Sequence, residues 1–153
     1  MEIGIKNLDL LGLNISDDSI TLQNHVLLNL QNFPEQILEK NQLQRFLRSL
    51  NYIRRFYKGQ GQDLVFLQKI LKKSSIPWNQ AMTQAVKTIK EKVQQLPPLK
   101  LPTDEGSYIL ETDASTFAWG GVLLECLDGK EEICGYSSLT FHGAKLNYPS
   151  SHK

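Results

Sequence analysis

The sequence predicts an α+β chain: a strand hairpin, a small three-helix bundle, then incomplete antiparallel strands. The apolar residues recur at a period near 2 over residues 8–22 and near 3.6 over 41–95, and the period returns to 2 from residue 108. Between the last two regimes, residues 96–102 hold three prolines, which reads as an extended connection. Charge divides the chain at the same places. Residues 1–33 hold one Lys against four acids, residues 34–96 twelve Lys and Arg against four acids, and residues 97–153 four Lys against eight acids. A basic middle between acidic ends points to a polyanion partner for the middle, or to a solvated basic face.

The elements follow in order. Residues 8–15 read as one apolar strand, Asp17-Asp18-Ser19 as a turn and Ile20-Thr21-Leu22 as the return strand. Residues 23–31 form a short helix that stops before Phe33-Pro34, because proline disfavours helical backbone in its predecessor. Asn41, with Gln44 three residues on, has the form of a capping box. Leu43, Phe46, Leu47, Leu50, Ile53 and Tyr57 then make one apolar face of a helix running to residue 57, with Arg45, Arg48, Tyr52 and Arg55 on its back. After Gly59-Gln60-Gly61 a second helix spans 62–73, turning Leu64, Leu67 and Leu71 inward. A loop follows at 74–77. The third helix, capped by Asn79, runs to about residue 95 with Met82, Ala85, Val86, Ile89 and Val93 as its stripe, and Trp78 plugs the near end of the core. Strands are expected at 108–115, 118–126 and 132–138, with Asp128-Gly129 turning the last pair. Residues 147–153 read as a helix entry.

Composition excludes several classes of protein. With 41% hydrophobic and 22% charged residues the chain is neither disordered nor fibrous. No run approaches the ~20 apolar residues of a membrane helix, and Glu2 and Asp9 break any signal peptide, so a cytoplasmic protein is expected. Cys126 and Cys134 are too few for a disulfide framework and are expected as free thiols. His25, His142 and His152 lack metal-ligand spacing.

Read in order, a set of short segments carries a resemblance. They are Leu11-Gly12-Leu13-Asn14-Ile15, His25, Phe33-Pro34, Leu43-Gln44-Arg45-Phe46-Leu47 and Leu50-Asn51-Tyr52-Ile53. Then come Trp78, Ala85-Val86, Leu96-Pro97, Glu111-Thr112-Asp113-Ala114-Ser115, Trp119-Gly120-Gly121-Val122-Leu123 and Asn147-Tyr148-Pro149-Ser150. Together they resemble the reverse transcriptase and RNase H polyprotein of plant pararetroviruses (the caulimovirus type) and, more loosely, of gypsy-type retrotransposons.

The resemblance implies a division of the chain. Residues 1–33 would be the edge of the polymerase palm, 34–96 the helical thumb, 97–107 the connection, and 108–153 the N-terminal part of an RNase H-like domain. It implies RNA-directed DNA synthesis and cleavage of RNA in RNA–DNA hybrids by the intact enzyme, using Mg²⁺. The remainder of the polyprotein is expected to complete the fold. Asp113 matches the first RNase H carboxylate, a metal ligand of that family. Two Mg²⁺ ions need several carboxylates, and the other acids here, Glu111, Glu125, Asp128, Glu131 and Glu132, match no family ligand and are expected mostly on a solvated face. The polymerase Asp-Asp motif has no equivalent in the sequence, and Arg48 stands where the family usually has glycine. The chain by itself is therefore expected to lack both activities and to bind no metal tightly. The basic back Arg45, Arg48, Tyr52, Arg55 is expected on a template–primer duplex or hybrid, through phosphates and a stacking ring. A non-catalytic nucleic-acid-binding module and an inactive relic are the other readings. Gly120 and Gly121, inside a strand, mark a bulge or a close backbone approach.

Overall fold

A computed structural model describes residues 7–72 and 77–141. The helix entry at 147–153, with His142 and His152, and most of the loop at 74–77 lie outside the described residues. The described chain has four α-helices and seven strands in two antiparallel sheets.

The first sheet opens with β1 (Asn7–Leu10), β2 (Leu13–Ser16) and β3 (Ser19–Leu22). Residues 8–15 are thus two strands rather than one. Leu11 and Gly12, at φ 51° and 82°, close a two-residue hairpin that folds β1 back on β2. Positive φ at both central residues gives the turn whose twist matches its flanking strands. Leucine at such a φ is uncommon, so the sequence pattern gives no warning of the break. β4 (Leu99–Lys100) pairs with β3, so part of the proline-rich stretch is a strand that ties residues 99–101 to the front of the chain.

The helices are α1 (Asn24–Gln31), α2 (Lys40–Tyr52), α3 (Gln60–Lys72) and α4 (Gln80–Gln94). Their core contains Leu30, Ile37, Leu43, Phe46, Leu50, Ile53, Tyr57, Leu64, Leu67, Met82, Val86, Ile89 and Val93. The expected apolar stripes supply it, with Leu47 and Leu71 only partly buried against it and Ala85 outside it. α1 contributes Leu30 as well, so the bundle has four helices where the sequence suggested three. At the start of α4, the Asn79 side chain accepts from the Met82 N–H at 3.0 Å, as expected of a cap. Asn41 caps nothing: α2 begins at Lys40, with Glu39 at the cap position and no side-chain cap bond. Trp78 packs at the end of the core and donates to the Thr83 hydroxyl at 2.8 Å.

α2 ends at Tyr52, five residues before its apolar stripe does, and a 3-10 turn (Arg54–Phe56) follows. Two features explain this. The Gln60 side chain, almost fully buried, donates to the Leu50 carbonyl at 2.6 Å, beside the Ile53 N–H that reaches the same oxygen at 3.2 Å, and so ties the helix end to the start of α3. Phe56 and Tyr57 are also drawn to different cores. Tyr57 stays in the bundle, while Phe56 joins Ile20 and Leu99 in a second cluster, against Ile133 and Tyr136.

The second sheet is β5 (Ser107–Ala114), β6 (Ala118–Leu127) and β7 (Lys130–Thr140), in that order. Asp128 and Gly129, at φ 53° and 77°, form the expected tight turn. The register slips between Leu123 and Leu124, which pair with Gly135 and Ile133, so Cys134 is the extra residue of a bulge. Cys126 pairs with Glu131 and not with Cys134, and both cysteines are free thiols. β7 lies against α3, the 3-10 turn and β4, which joins the sheet to the bundle.

Candidate nucleic-acid interface and the Asp113 cleft

Arg45 and Arg48 stand one turn apart on the exposed back of α2. They open onto a cleft of about 560 Å³, whose other lining residues are Asn29 and Asn32 of the α1 end, Phe33, Gln42 and Ser49. Every polar lining group there is a guanidinium, an amide or a hydroxyl, and none is a carboxylate. Such a lining suits an anion, with amide groups beside it to donate and accept. Phe33 is fixed edge-on against Phe46, with ring centroids 5.2 Å apart, so one wall of the cleft is anchored in the core. The amides of α1 were invisible to the sequence reading because they come from another helix.

Tyr52 also lies on α2, 48% exposed, with its hydroxyl against Gly12 and the β1–β2 turn. It does not line the cleft of Arg45 and Arg48.

Arg55 parts from this group. It belongs to the 3-10 turn, and its Nε donates to the Cys134 carbonyl at 3.0 Å while its stem lies across Gly135. The expectation of a four-residue face on one helix is corrected here, because the helix has ended before Arg55. Arg54 makes a parallel contact, its Nη2 donating to the Ser137 hydroxyl at 3.0 Å. The Gly61 N–H donates to the Ser138 hydroxyl at 2.9 Å. Residues 54–61 are thereby bonded along β7.

Asp113 lies exposed near the end of β5, opposite Gly120 of β6. It lines a second cleft, of about 500 Å³, that shares no residue with the first. Glu111, Trp119, Gly120, Gly121 and Tyr136 line it from the sheet, Lys58 and Gly59 from the turn before α3, and Gln62 from the first turn of α3. Among the described residues no group of three His, Cys, Asp or Glu side chains converges as metal ligands do. Among the described residues, the surroundings of Asp113 therefore do not supply the several carboxylates that a two-Mg²⁺ centre needs.

Glu125 is the acid that the sequence misplaced. It is 1% exposed, and its Oε1 accepts from the Thr103 N–H at 3.0 Å and from the Thr103 hydroxyl. Its Oε2 has no hydrogen-bond partner among the described residues. Gly106 makes room for it, since a Cβ there would sit 2.5 Å from the Glu125 Cγ. The carboxylate thus fastens the 101–106 loop onto β6. The glycine three residues beyond Thr103 is the one sequence trace of this arrangement.

Comparison with known proteins decides the family. Residues 78–153 match the model of an RNase H-like domain found in reverse transcriptase. That part of the chain belongs to this family. Across the full chain, the genome polyprotein of Petunia vein clearing virus (isolate Shepherd) is 37% identical over 153 residues. The enzymatic polyprotein of figwort mosaic virus (strain DxS) is 41% identical over 150 residues, 97% of the chain. The chain spans 7% and 22% of the length of these two relatives. It is thus similar throughout to a reverse transcriptase and RNase H-like region of pararetroviral polyproteins.

The fold agrees. A foamy viral protease-reverse transcriptase in complex with RNA/DNA hybrid superposes with a TM-score of 0.80 at 17% identity, over 95% of this chain and 20% of that one. The same kind of protein in complex with dsDNA gives a TM-score of 0.77 at 18% identity, over 97% and 31%. Among the described residues no helix is long and apolar enough to cross a membrane.

Proposed function

We propose that this chain is the duplex-gripping region of a pararetroviral reverse transcriptase, acting in the cytoplasm on a template–primer duplex or RNA–DNA hybrid. In this reading residues 1–33 are the edge of the palm, 34–96 the thumb, 97–107 the connection and 108–153 the first part of the RNase H-like domain. Polymerisation, and hybrid cleavage with Mg²⁺, belong to the intact enzyme, and the chain by itself binds without cutting. The carrying observation is the pair Arg45 and Arg48, one helical turn apart on a cleft without a carboxylate. Two guanidiniums so placed can meet neighbouring phosphates of one strand while the opposite face of α2 stays in the core. Solved relatives of the same fold in complex with RNA/DNA hybrid and dsDNA support the choice of partner.

The test is fluorescence anisotropy of a labelled RNA–DNA hybrid with the wild-type chain and with Arg45→Gln/Arg48→Gln, over a salt series. The wild type should bind alike on unrelated sequences. The double variant should flatten the plot of log K against log salt by about 2, since each phosphate contact carries a slope near −0.9. Equal affinity and slope for the two proteins would reduce the basic face to solvated surface.

A further inference from the structure

We propose that Lys90 of α4 is a positioning residue for duplex binding. Through the carbonyls of Gln31 and Phe33 it fixes the wall that α1 gives to the Arg45 and Arg48 cleft. The Asn29 and Asn32 amides on that wall then meet sugar and phosphate oxygens of the strand that the two arginines hold. This rests on the duplex-gripping reading and adds to it a second set of contacts and the residue that sets them.

The first observation is how α1 ends. The last carbonyls of a helix have no partner within it and form the negative end of its dipole. The last turn of α1 has no basic residue of its own. Lys90 brings the cation from another helix. Its Nζ donates to the Gln31 carbonyl at 2.9 Å and also to the Phe33 carbonyl. The Gln31 amide returns the contact, its Nε2 donating to the Lys90 carbonyl at 2.9 Å. Lys90 is half-buried, and hydrogen bonds from a charged donor are stronger than neutral ones.

The second observation is what these bonds hold. Asn32 lies between the two carbonyls that Lys90 binds, and Asn32 and Phe33 both line the cleft. Residues 32–39 form neither helix nor strand, so no regular main-chain ladder fixes this stretch. Phe33 is instead clamped from two helices: its ring lies edge-on to Phe46 of α2, and its carbonyl is bound by Lys90 of α4. Lys87, one turn earlier on α4, pairs with Glu35 at 3.3 Å, but those side chains are 40% and 54% exposed. An exposed pair of this kind holds little. The grip on the wall is therefore that of Lys90.

The third observation is the division of labour in the cleft. Lys90 does not line it, so its charge serves the carbonyls behind the wall and not a phosphate in front of it. The Asn29 and Asn32 amides both donate and accept, which suits sugar and phosphate oxygens and carries no sequence information. A neutral amide releases no counterion from the duplex. Its contacts add affinity without adding salt dependence, whereas those of Arg45 and Arg48 add both.

The experiment is anisotropy of a labelled RNA–DNA hybrid over a salt series, with each protein checked for folding by circular dichroism at the assay temperature. The proteins are wild type, Lys90→Met, Asn29→Ala/Asn32→Ala, these three changes combined, Arg45→Gln/Arg48→Gln, and Lys87→Met as the control. Lys90→Met should lose at least about fivefold in affinity, the worth of one hydrogen bond, at the salt slope of wild type. Asn29→Ala/Asn32→Ala should lose about as much, again at unchanged slope. The combined variant should bind within about twofold of its weaker parent, because all three changes act on one wall. Lys87→Met should stay within about twofold of wild type. A slope flattened by about 1 in Lys90→Met would make it a direct phosphate contact and overturn the positioning role. Losses that multiply in the combined variant would overturn it too. So would wild-type affinity in a folded Lys90→Met, or in Asn29→Ala/Asn32→Ala whether or not Lys90→Met folds. Weakened binding by Arg45→Gln/Arg48→Gln would then leave the duplex reading standing. No binding of the hybrid by the wild type would remove both.

Discussion

The Nε of Arg55 donates to the carbonyl oxygen of Cys134 at 3.0 Å, and this bond joins the 3-10 turn after α2 to the bulge of β7. With Arg54–Ser137 and Gly61–Ser138 it makes a seam between the helices and the second sheet. Arg55→Ala should therefore act on stability, costing about 1–2 kcal/mol for a hydrogen bond from a charged donor and the lost stem packing on Gly135. Urea unfolding measures the cost, and duplex affinity should change far less than in Arg45→Gln/Arg48→Gln. A large loss of affinity at unchanged stability would return Arg55 to the binding face.

Gly12 is required twice over. Its φ is +82°, and a Cβ there would lie 2.8 Å from the Tyr52 hydroxyl and 2.9 Å from Val26 Cγ2. Gly12→Ala should destabilise the chain by about 1–2 kcal/mol from the left-handed backbone, and further from the contact. Adding Tyr52→Phe should recover part of the loss, because the crowded hydroxyl is then gone. Thermal melts of the single and double variants supply the comparison, and additive losses would mean that the two residues do not touch.

Tyr57 should make the fold sensitive to alkali. Burial raises its phenol pKa well above the ordinary value of 10.0, and Asp63, which accepts its hydroxyl proton at 2.8 Å, raises it further. The folded state keeps this proton while the unfolded chain releases it near pH 10. The stabilisation is thus complete below pH 10 and is lost as the pH rises from there toward the folded value. Lys92, which pairs with Asp63 at 2.7 Å, belongs to the same cluster. Denaturant unfolding of wild type and Tyr57→Phe at pH 8 and pH 11 isolates this contribution. Stability should fall more steeply in wild type, and parallel curves would exclude the phenol as the cause.

Glu125 and Gly106 should be coupled. Glu125→Ala leaves the Thr103 N–H without its acceptor and opens a void, for about 2–4 kcal/mol. Gly106→Ala alone should also destabilise, since its Cβ would meet Glu125. In the Glu125→Ala background the same change should cost much less, because the obstructing side chain is absent. A double-mutant cycle by urea denaturation gives the coupling, and a value near zero would contradict the contact.

Much of the fold was legible because apolar periodicity records burial directly. The stripes of α2, α3 and α4, the Asn79 cap and the Asp128-Gly129 turn are local patterns with local causes. Long-range contacts were not legible. The Leu11-Gly12 turn needs a leucine at positive φ, which no propensity suggests. The end of α2 depends on Gln60 reaching back to Leu50 and on Phe56 choosing a second core. The burial of Glu125 depends on a loop that folds over it. In the candidate interface, Arg45 and Arg48 follow from helical spacing, while Asn29 and Asn32 come from elsewhere in the chain and enter only through packing.

The most direct test of the central claim, duplex contact through the back of α2, is amide hydrogen exchange of the chain with and without a saturating RNA–DNA hybrid. The account predicts slowed exchange in peptides covering residues 29–33 and 40–52, around Arg45 and Arg48. Unchanged exchange in residues 40–52 when hybrid is bound, with protection confined to other parts of the chain, would contradict it.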